Sequence, residues 1–149
     1  MNIIRWFQEI RDQRKMAKNS KEKYRIENEI FMENLLNEEG VNQLPKGILY
    51  KVINEGNGKQ AQPRSVVSVY YKGSLIDGKV FDDNTQQGYP DAFRLTDLIV
   101  AWQIAIPQMK EGDKWQIFVP SELGYGKRGT HGIPGNSTLI FEIELVKVM

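Results

Sequence analysis

The sequence predicts an α+β protein in which one short helix lies against an antiparallel sheet, with further helices ahead of it. Three observations carry that expectation. Apolar residues recur at helical spacing before Gly40, alternate at period two from Ile48 onward, and form one run between strands with too little polar alternation to be a strand itself.

Residues 3 to 39 read as helix, since Ile3, Phe7 and Ile10 fall at spacings of four and three and Phe31 and Leu35 follow suit beside Ile30. No large apolar side chain occurs in Ala17–Lys23, and Asn19 followed by Glu22 resembles a capping box, so two helices with a break are expected. Gly40 suits a helix C-terminal cap, and VNQLPKG reads as a linker. The expected organisation is therefore a helical extension at 1–39, a linker at 40–47 and a folded domain at 48–149.

LYKVI reads as the first strand. In VVSVYYKGSL, residues Val67, Val69, Tyr71 and Leu75 share one face, and Asp77-Gly78 marks a type I′ hairpin turn into Lys79–Asp82. WQIFVP alternates Trp115, Ile117 and Val119. TLIFEIELV places Leu139, Phe141, Ile143 and Leu145 inward, with Glu142 and Glu144 outward. Between these strands, LTDLIVAWQIAIPQM reads as a short buried helix from near Asp97 to just before Pro107.

Composition removes several kinds of chemistry. Twenty basic against nineteen acidic residues give a formal charge of +1, so no general attraction to nucleic acid or anionic membranes is expected. Without cysteine there are no disulfides, thiolate metal sites or thiol nucleophiles, and one histidine, His131, rules out multi-histidine metal clusters. Neither a metal nor a cofactor is expected. No run approaches the roughly 20 apolar residues of a membrane span. Arg5, Glu9 and Arg11 interrupt the region where a signal peptide needs an apolar stretch. As written, the chain is expected in the cytoplasm, or in the periplasm if a leader was removed.

LGYGKRGTHGIPG is glycine-rich but lacks the ending of a phosphate-cradling loop, and Asp82-Asp83 are neighbours in sequence rather than a facing acid pair. What remains in unusual density is aromatic residues close to loops: Tyr71, Phe81, Trp102, Tyr125 and Phe141. Each alone reads more readily as core. The surrounding order shifts that balance: Tyr71, Gly73, Leu75, Asp77-Gly78, Phe81-Asp82, then Phe93, Leu95, Leu98-Ile99, Trp102, Gln108-Met109, Gly112, Tyr125-Gly126, Gly129, Ile133-Pro134 and NSTLIFEIEL from Asn136.

This series resembles the FKBP family of peptidyl-prolyl cis-trans isomerases over about residues 47–149. The preceding FMENLLNEEGV and LPKGILYKV are similar to its bacterial subgroup with an N-terminal helical domain, the macrophage infectivity potentiator type. The resemblance implies a strongly bent antiparallel sheet, a half-barrel, wrapped around a short helix, with a proline pocket between them. It implies isomerisation of X–Pro bonds in unfolded or partly folded proteins, with chaperone activity. Trp102 would form the floor, with Tyr71, Phe81, Leu98, Ile99 and Phe141 as walls. Tyr125 and the Ile99 N–H would hold substrate carbonyls, and Asp82 would stand at the edge. His131 and Ile133 would belong to an overhanging loop.

Against the commonest family pattern, Ala101 and Ala105 stand where glycines often flank the tryptophan helix, and Gly135 replaces a second proline, which loosens that loop. Asp91 occupies a position often aromatic in eukaryotic members, so macrolide inhibitors are expected to bind less well. The rival reading is a low-activity peptide-binding or chaperone module. Seven basic and two acidic residues in 11–25 precede five acidic and no basic residues in 26–39. The plainer reading is a solvated face with local pairs. The sharper one is a homodimer formed through residues 1–39.

Overall fold

The computed structural model describes residues 3–16 and 20–149. Two helices come first, α1 (Ile3–Met16) and α2 (Ser20–Leu35). Asn19, the expected cap, lies outside the described residues. The second helix stops at Leu35, short of residue 39. Three turn bonds, from the N–H groups of Leu36, Asn37 and Glu38 to carbonyls three residues back, carry the chain on. Gly40 then takes a φ of 83° within that turn.

α1 and α2 pack side by side. Trp6 and Ile10 face Ile26 and Ile30 across a small hollow of about 110 Å³, while Ile3 and Phe7 are exposed. The stripe predicted for α1 is thus split between two directions. Charges on α2 pair locally: Arg25 with Glu22 and Glu29, and Lys23 with Glu27.

Among the described residues, seven strands form one open antiparallel sheet in the order β1-β2-β6-β7-β3-β4, with β5 also on β3. The strands are β1 (Asn42–Gln43), β2 (Leu49–Asn54), β3 (Val66–Ser74), β4 (Val80–Asp83), β5 (Asp91–Arg94), β6 (Lys114–Val119) and β7 (Leu139–Val148). β1 and β5 were not anticipated: two residues of the linker pair with Tyr50 and Leu49, and four residues around Phe93 pair with Val66–Val69. Neither segment is long enough to show a period, so only a neighbouring strand could define it. The hairpin after β3 also differs from the type I′ expectation. Gly78 has a φ of 89° whereas Asp77 is not at positive φ, and the Gly78 N–H bonds the Leu75 carbonyl in a three-residue loop.

The inner face of the sheet meets the short helix α3 (Val100–Ala105). Val67 and Val69 of β3, Ile117 and Val119 of β6, and the inward residues of β7 are buried against Ala101, Trp102 and Ala105. Each such aliphatic side chain contributes about 1.5–3 kcal/mol when fully buried. The helix starts later than the apolar run suggested, because Ile99 is still extended, with φ −58° and ψ 150°. Pro107 lies in a 3-10 turn that follows directly, Ile106–Gln108.

The outer face is covered as well. Leu49, Phe118 and Ile140, side by side on β2, β6 and β7, form a patch that meets Phe31, Met32 and Leu35 of α2.

Candidate functional site

Between the sheet and α3 lies a hollow of about 200 Å³. β3 supplies Tyr71, β4 supplies Phe81 and Asp82, β5 supplies Phe93 and β7 supplies Phe141. Leu98 and Ile99 come from the approach to α3, Trp102 from α3 itself and Tyr125 from the loop after β6. The hollow brings together eight of the ten residues singled out from sequence. His131 and Ile133 lie outside it: His131 is exposed on the loop and Ile133 is buried in the core.

Trp102 is the centre. Only 4% of it is exposed, and three rings stand nearly perpendicular to it: Tyr71 at 5.1 Å, Phe141 at 5.3 Å and Phe93 at 6.2 Å between centroids. Phe81 stands edge-on to Phe141 at 5.7 Å. Such edge-to-face arrangements place positive ring edges on negative faces, adding roughly 0.5–1.5 kcal/mol per pair. Gly73 lets the rings close in, since a Cβ there would lie 2.6 Å from Phe81 and 3.0 Å from Phe141.

Neighbouring residues on a regular strand point to opposite faces, yet Phe81 and Asp82 both line the hollow. The reason is a bulge. Gly73 faces Asp82 and Ser74 faces Val80, which leaves Phe81 as the extra residue, and a bulge redirects its side chain.

The polar groups sit at the edge. The Tyr71 hydroxyl donates to Asp82 Oδ2 at 2.7 Å. Burial first, then this bond and the nearby carboxylates of Asp82 and Asp91, push the Tyr71 phenol well above its ordinary pKa, so it remains a donor. Tyr125 is 38% exposed, with its ring at the hollow's edge. Among the described residues, nothing accepts a hydrogen bond from the Ile99 N–H. The Trp102 Nε1–H is buried without a hydrogen-bond partner.

Sequence reasoning missed two contributors. Phe93 was visible only as part of a spacing. Asn84, 4% exposed, fills the gap where residues 84–90 leave the sheet between β4 and β5. Its Oδ1 accepts the Tyr71 N–H at 2.7 Å, and its Nδ2 donates to the Val69 carbonyl and to Asp91 Oδ2, both at 3.0 Å. It thereby fixes the backbone that carries Tyr71. An isolated asparagine in a loop-rich stretch gives no sequence signal for that job.

Larger hollows of about 290 and 400 Å³ flank α2, another of about 270 Å³ lies beside Tyr70 and Glu142, and none of the three gathers more than one aromatic ring. Among the described residues, no group of three His, Asp or Glu is placed to hold a metal ion. Nor is any of their helices long and apolar enough to cross a membrane. The arrangement offers a ring-lined cleft with hydrogen-bond donors at its rim.

Residues 57–146 match the family model described as FKBP-type peptidyl-prolyl cis-trans isomerase. The isomerase FkpA of Escherichia coli is 42% identical over 118 residues, covering 79% of this chain and 44% of that protein. The outer membrane protein MIP of Legionella longbeachae is 42% identical over 110 residues, 73% of this chain and 47% of its own. The chain thus spans about half the length of these curated relatives. Among solved structures, a peptidyl-prolyl cis-trans isomerase from Pseudomonas syringae superposes with a TM-score of 0.80 at 35% identity, covering 89% of this chain and 98% of that one.

Proposed function

The chain belongs to the FKBP-type peptidyl-prolyl cis-trans isomerases, and from that membership we propose that it speeds rotation about X–Pro bonds of unfolded or partly folded polypeptides in the hollow around Trp102. One observation carries the reading: rings packed edge to face enclose a cleft with room for a pyrrolidine ring, and the Tyr71–Asp82 pair stands at its rim.

The physics suits such a site. Twisting a peptide bond destroys amide resonance and meets a barrier of roughly 18–20 kcal/mol. For X–Pro both isomers are populated and exchange takes tens of seconds or longer. No bond forms or breaks, so no nucleophile is needed. The twisted amide carries less charge on its carbonyl oxygen than the planar one, so a water-poor aromatic cleft disfavours the planar ground state more. Donors set for the twisted geometry add selective stabilisation. Lowering the barrier by about 7 kcal/mol corresponds to roughly a 10⁵-fold acceleration.

In this reading Trp102 is the floor, and Tyr71, Phe81, Leu98, Ile99 and Phe141 are the walls, with Phe93 beside Tyr71 and Trp102. Tyr125 and the Ile99 N–H donate to substrate carbonyls, Asp82 polarises the rim, and His131 meets the substrate from the loop, which the buried Ile133 anchors to the core rather than touching the substrate itself. Residues 48–149 form the catalytic unit and 1–39 its helical extension. The test is a cis-to-trans assay on short X-Pro peptides with X varied. Acceleration is expected, and replacing Tyr71, Asp82 and Tyr125 together without changing the rate would overturn the site. A chain that holds unfolded clients but accelerates no peptide is the binding module instead. Asp91, charged beside Tyr71, should weaken macrolide inhibitors, and Asp91→Leu should tighten them; unchanged affinity removes that idea.

The exposure of Ile3 (69%) and Phe7 (51%) favours a second feature, pairing of two copies through α1. Light scattering should give a dimer mass for the full chain and a monomer mass for Ile3→Glu/Phe7→Glu; two equal monomer masses refute it. The cytoplasmic reading is tested by cell fractionation, where release with periplasmic markers would overturn it.

A further inference from the structure

We propose that α2 is a strut of the isomerase site, with Tyr24 and Asn28 as positioning residues for the loop that carries Tyr125. This rests on the isomerase reading above. The two residues are one helical turn apart, and so share one face of α2. Asn28 is 3% exposed. Its Oδ1 accepts the Thr138 N–H at 2.7 Å and its Nδ2 donates to the Tyr24 carbonyl at 2.8 Å. The Tyr24 hydroxyl lies 2.8 Å from Ser137 Oγ, and the Ser137 hydroxyl donates its single proton to the Pro134 carbonyl at 2.6 Å. Tyr24 is therefore the donor, and a directed relay runs from α2 into the loop.

The loop responds as one body. The Asn136 N–H closes its neck on the Gly126 carbonyl at 2.9 Å, and the Gly129 N–H bonds the carbonyl of Tyr125 itself at 3.0 Å. Gly135 tightens the loop rather than loosening it, contrary to the sequence expectation: a Cβ there would come within 1.9 Å of the Lys127 carbonyl oxygen. A closed unit of this kind takes its orientation from its stem, and the exit side of the stem is what α2 grips. The hollows of about 290 and 400 Å³ lie on either side of the grip, so little apolar packing supplements the hydrogen bonds. Farther along, Phe31, Met32 and Leu35 fix α2 to the sheet. Loop orientation, and with it Tyr125 over the hollow, is thereby tied to the extension.

The test is a double-mutant cycle in the full chain, with kcat/KM measured on a Leu-Pro peptide at a temperature where every variant is folded. Asn28→Ala should lower kcat/KM about fivefold, the scale of one lost hydrogen bond. In a Tyr125→Phe background it should cost less than about twofold, because both changes act through the same contact. Losses that multiply independently, or no loss in Asn28→Ala, overturn the strut. If Asn28→Ala does not fold, Tyr24→Phe deletes only the donor hydroxyl and serves in the same cycle. If the parent chain accelerates no peptide, the isomerase reading fails, and hydrogen exchange decides the strut separately. Faster exchange across Gly126–Gly135 in Tyr24→Phe supports it, and unchanged exchange overturns it.

Discussion

The two faces of the sheet both carry aromatic side chains, yet they end in different states. On the outer face, Phe118 is 3% exposed because Phe31 of α2 stands 6.1 Å away and Leu35 completes the cover. On the inner face, α3 is only six residues long and buries Trp102, but leaves room between Tyr71, Phe81, Phe141 and Tyr125. A long helix laid on a sheet fills its patch. A short helix beside a bulged edge strand does not, and the unfilled volume is the candidate site. What separates a packing surface from a binding surface here is how much is laid over the rings, since both faces are apolar.

Substitutions can break or sharpen that contrast. The largest effect is expected for Trp102→Ala, which removes both the floor of the cleft and a core side chain. It should lower kcat/KM more than tenfold and destabilise the fold by about 3–5 kcal/mol in urea titration. An intact rate would detach the hollow from catalysis. Asp82→Ala should separate the two roles on the inner face. Asp82 is exposed, so the rate should fall several-fold while the melting temperature barely moves. Phe118→Leu should do the reverse on the outer face, with roughly 1 kcal/mol lost in stability and kcat/KM within about twofold of the parent. A larger drop in rate would mean that the packing of α2 on this face, and not only its hydrogen bonds to the loop, sets the site.

The smallest effect concerns pH. Because the Tyr71 phenol is raised in the folded state, folding favours its protonated form. The stability it adds is fully present below the unfolded phenol value of about 10 and is lost as pH climbs through the higher folded value. Melting temperatures measured upward from pH 9 should therefore decline, and Tyr71→Phe should flatten part of that decline. Identical curves would place Tyr71 outside the buried rim.

Much of this site was legible from pattern. Tyr71 and Phe141 fall on the apolar faces of their strands, and Trp102 lies in the one run too apolar for a strand. Period alone could not give Phe81 and Asp82 a common direction, since adjacent strand residues diverge; only the family-like spacing suggested it, and the bulge opposite Gly73 and Ser74 supplies the cause. Phe118 and Ile140 stood at nominally outward positions, which in hindsight signalled that something covers that face. Which element covers it was not readable, because an apolar helix face does not name its partner.

The order of side chains by itself determined the fold class, the inward faces of the long strands and the spacings by which the chain matches its family. Periodicity and composition are local properties, and they survive in a one-dimensional record. Tertiary structure alone decided the register that aims Phe81 and Asp82 together, the lodging of Asn84 in a split sheet edge and the grip of α2 on the loop beside Tyr125. Each of those depends on contacts between residues far apart in the chain, and the energy of such a contact exists only once folding has brought both partners together.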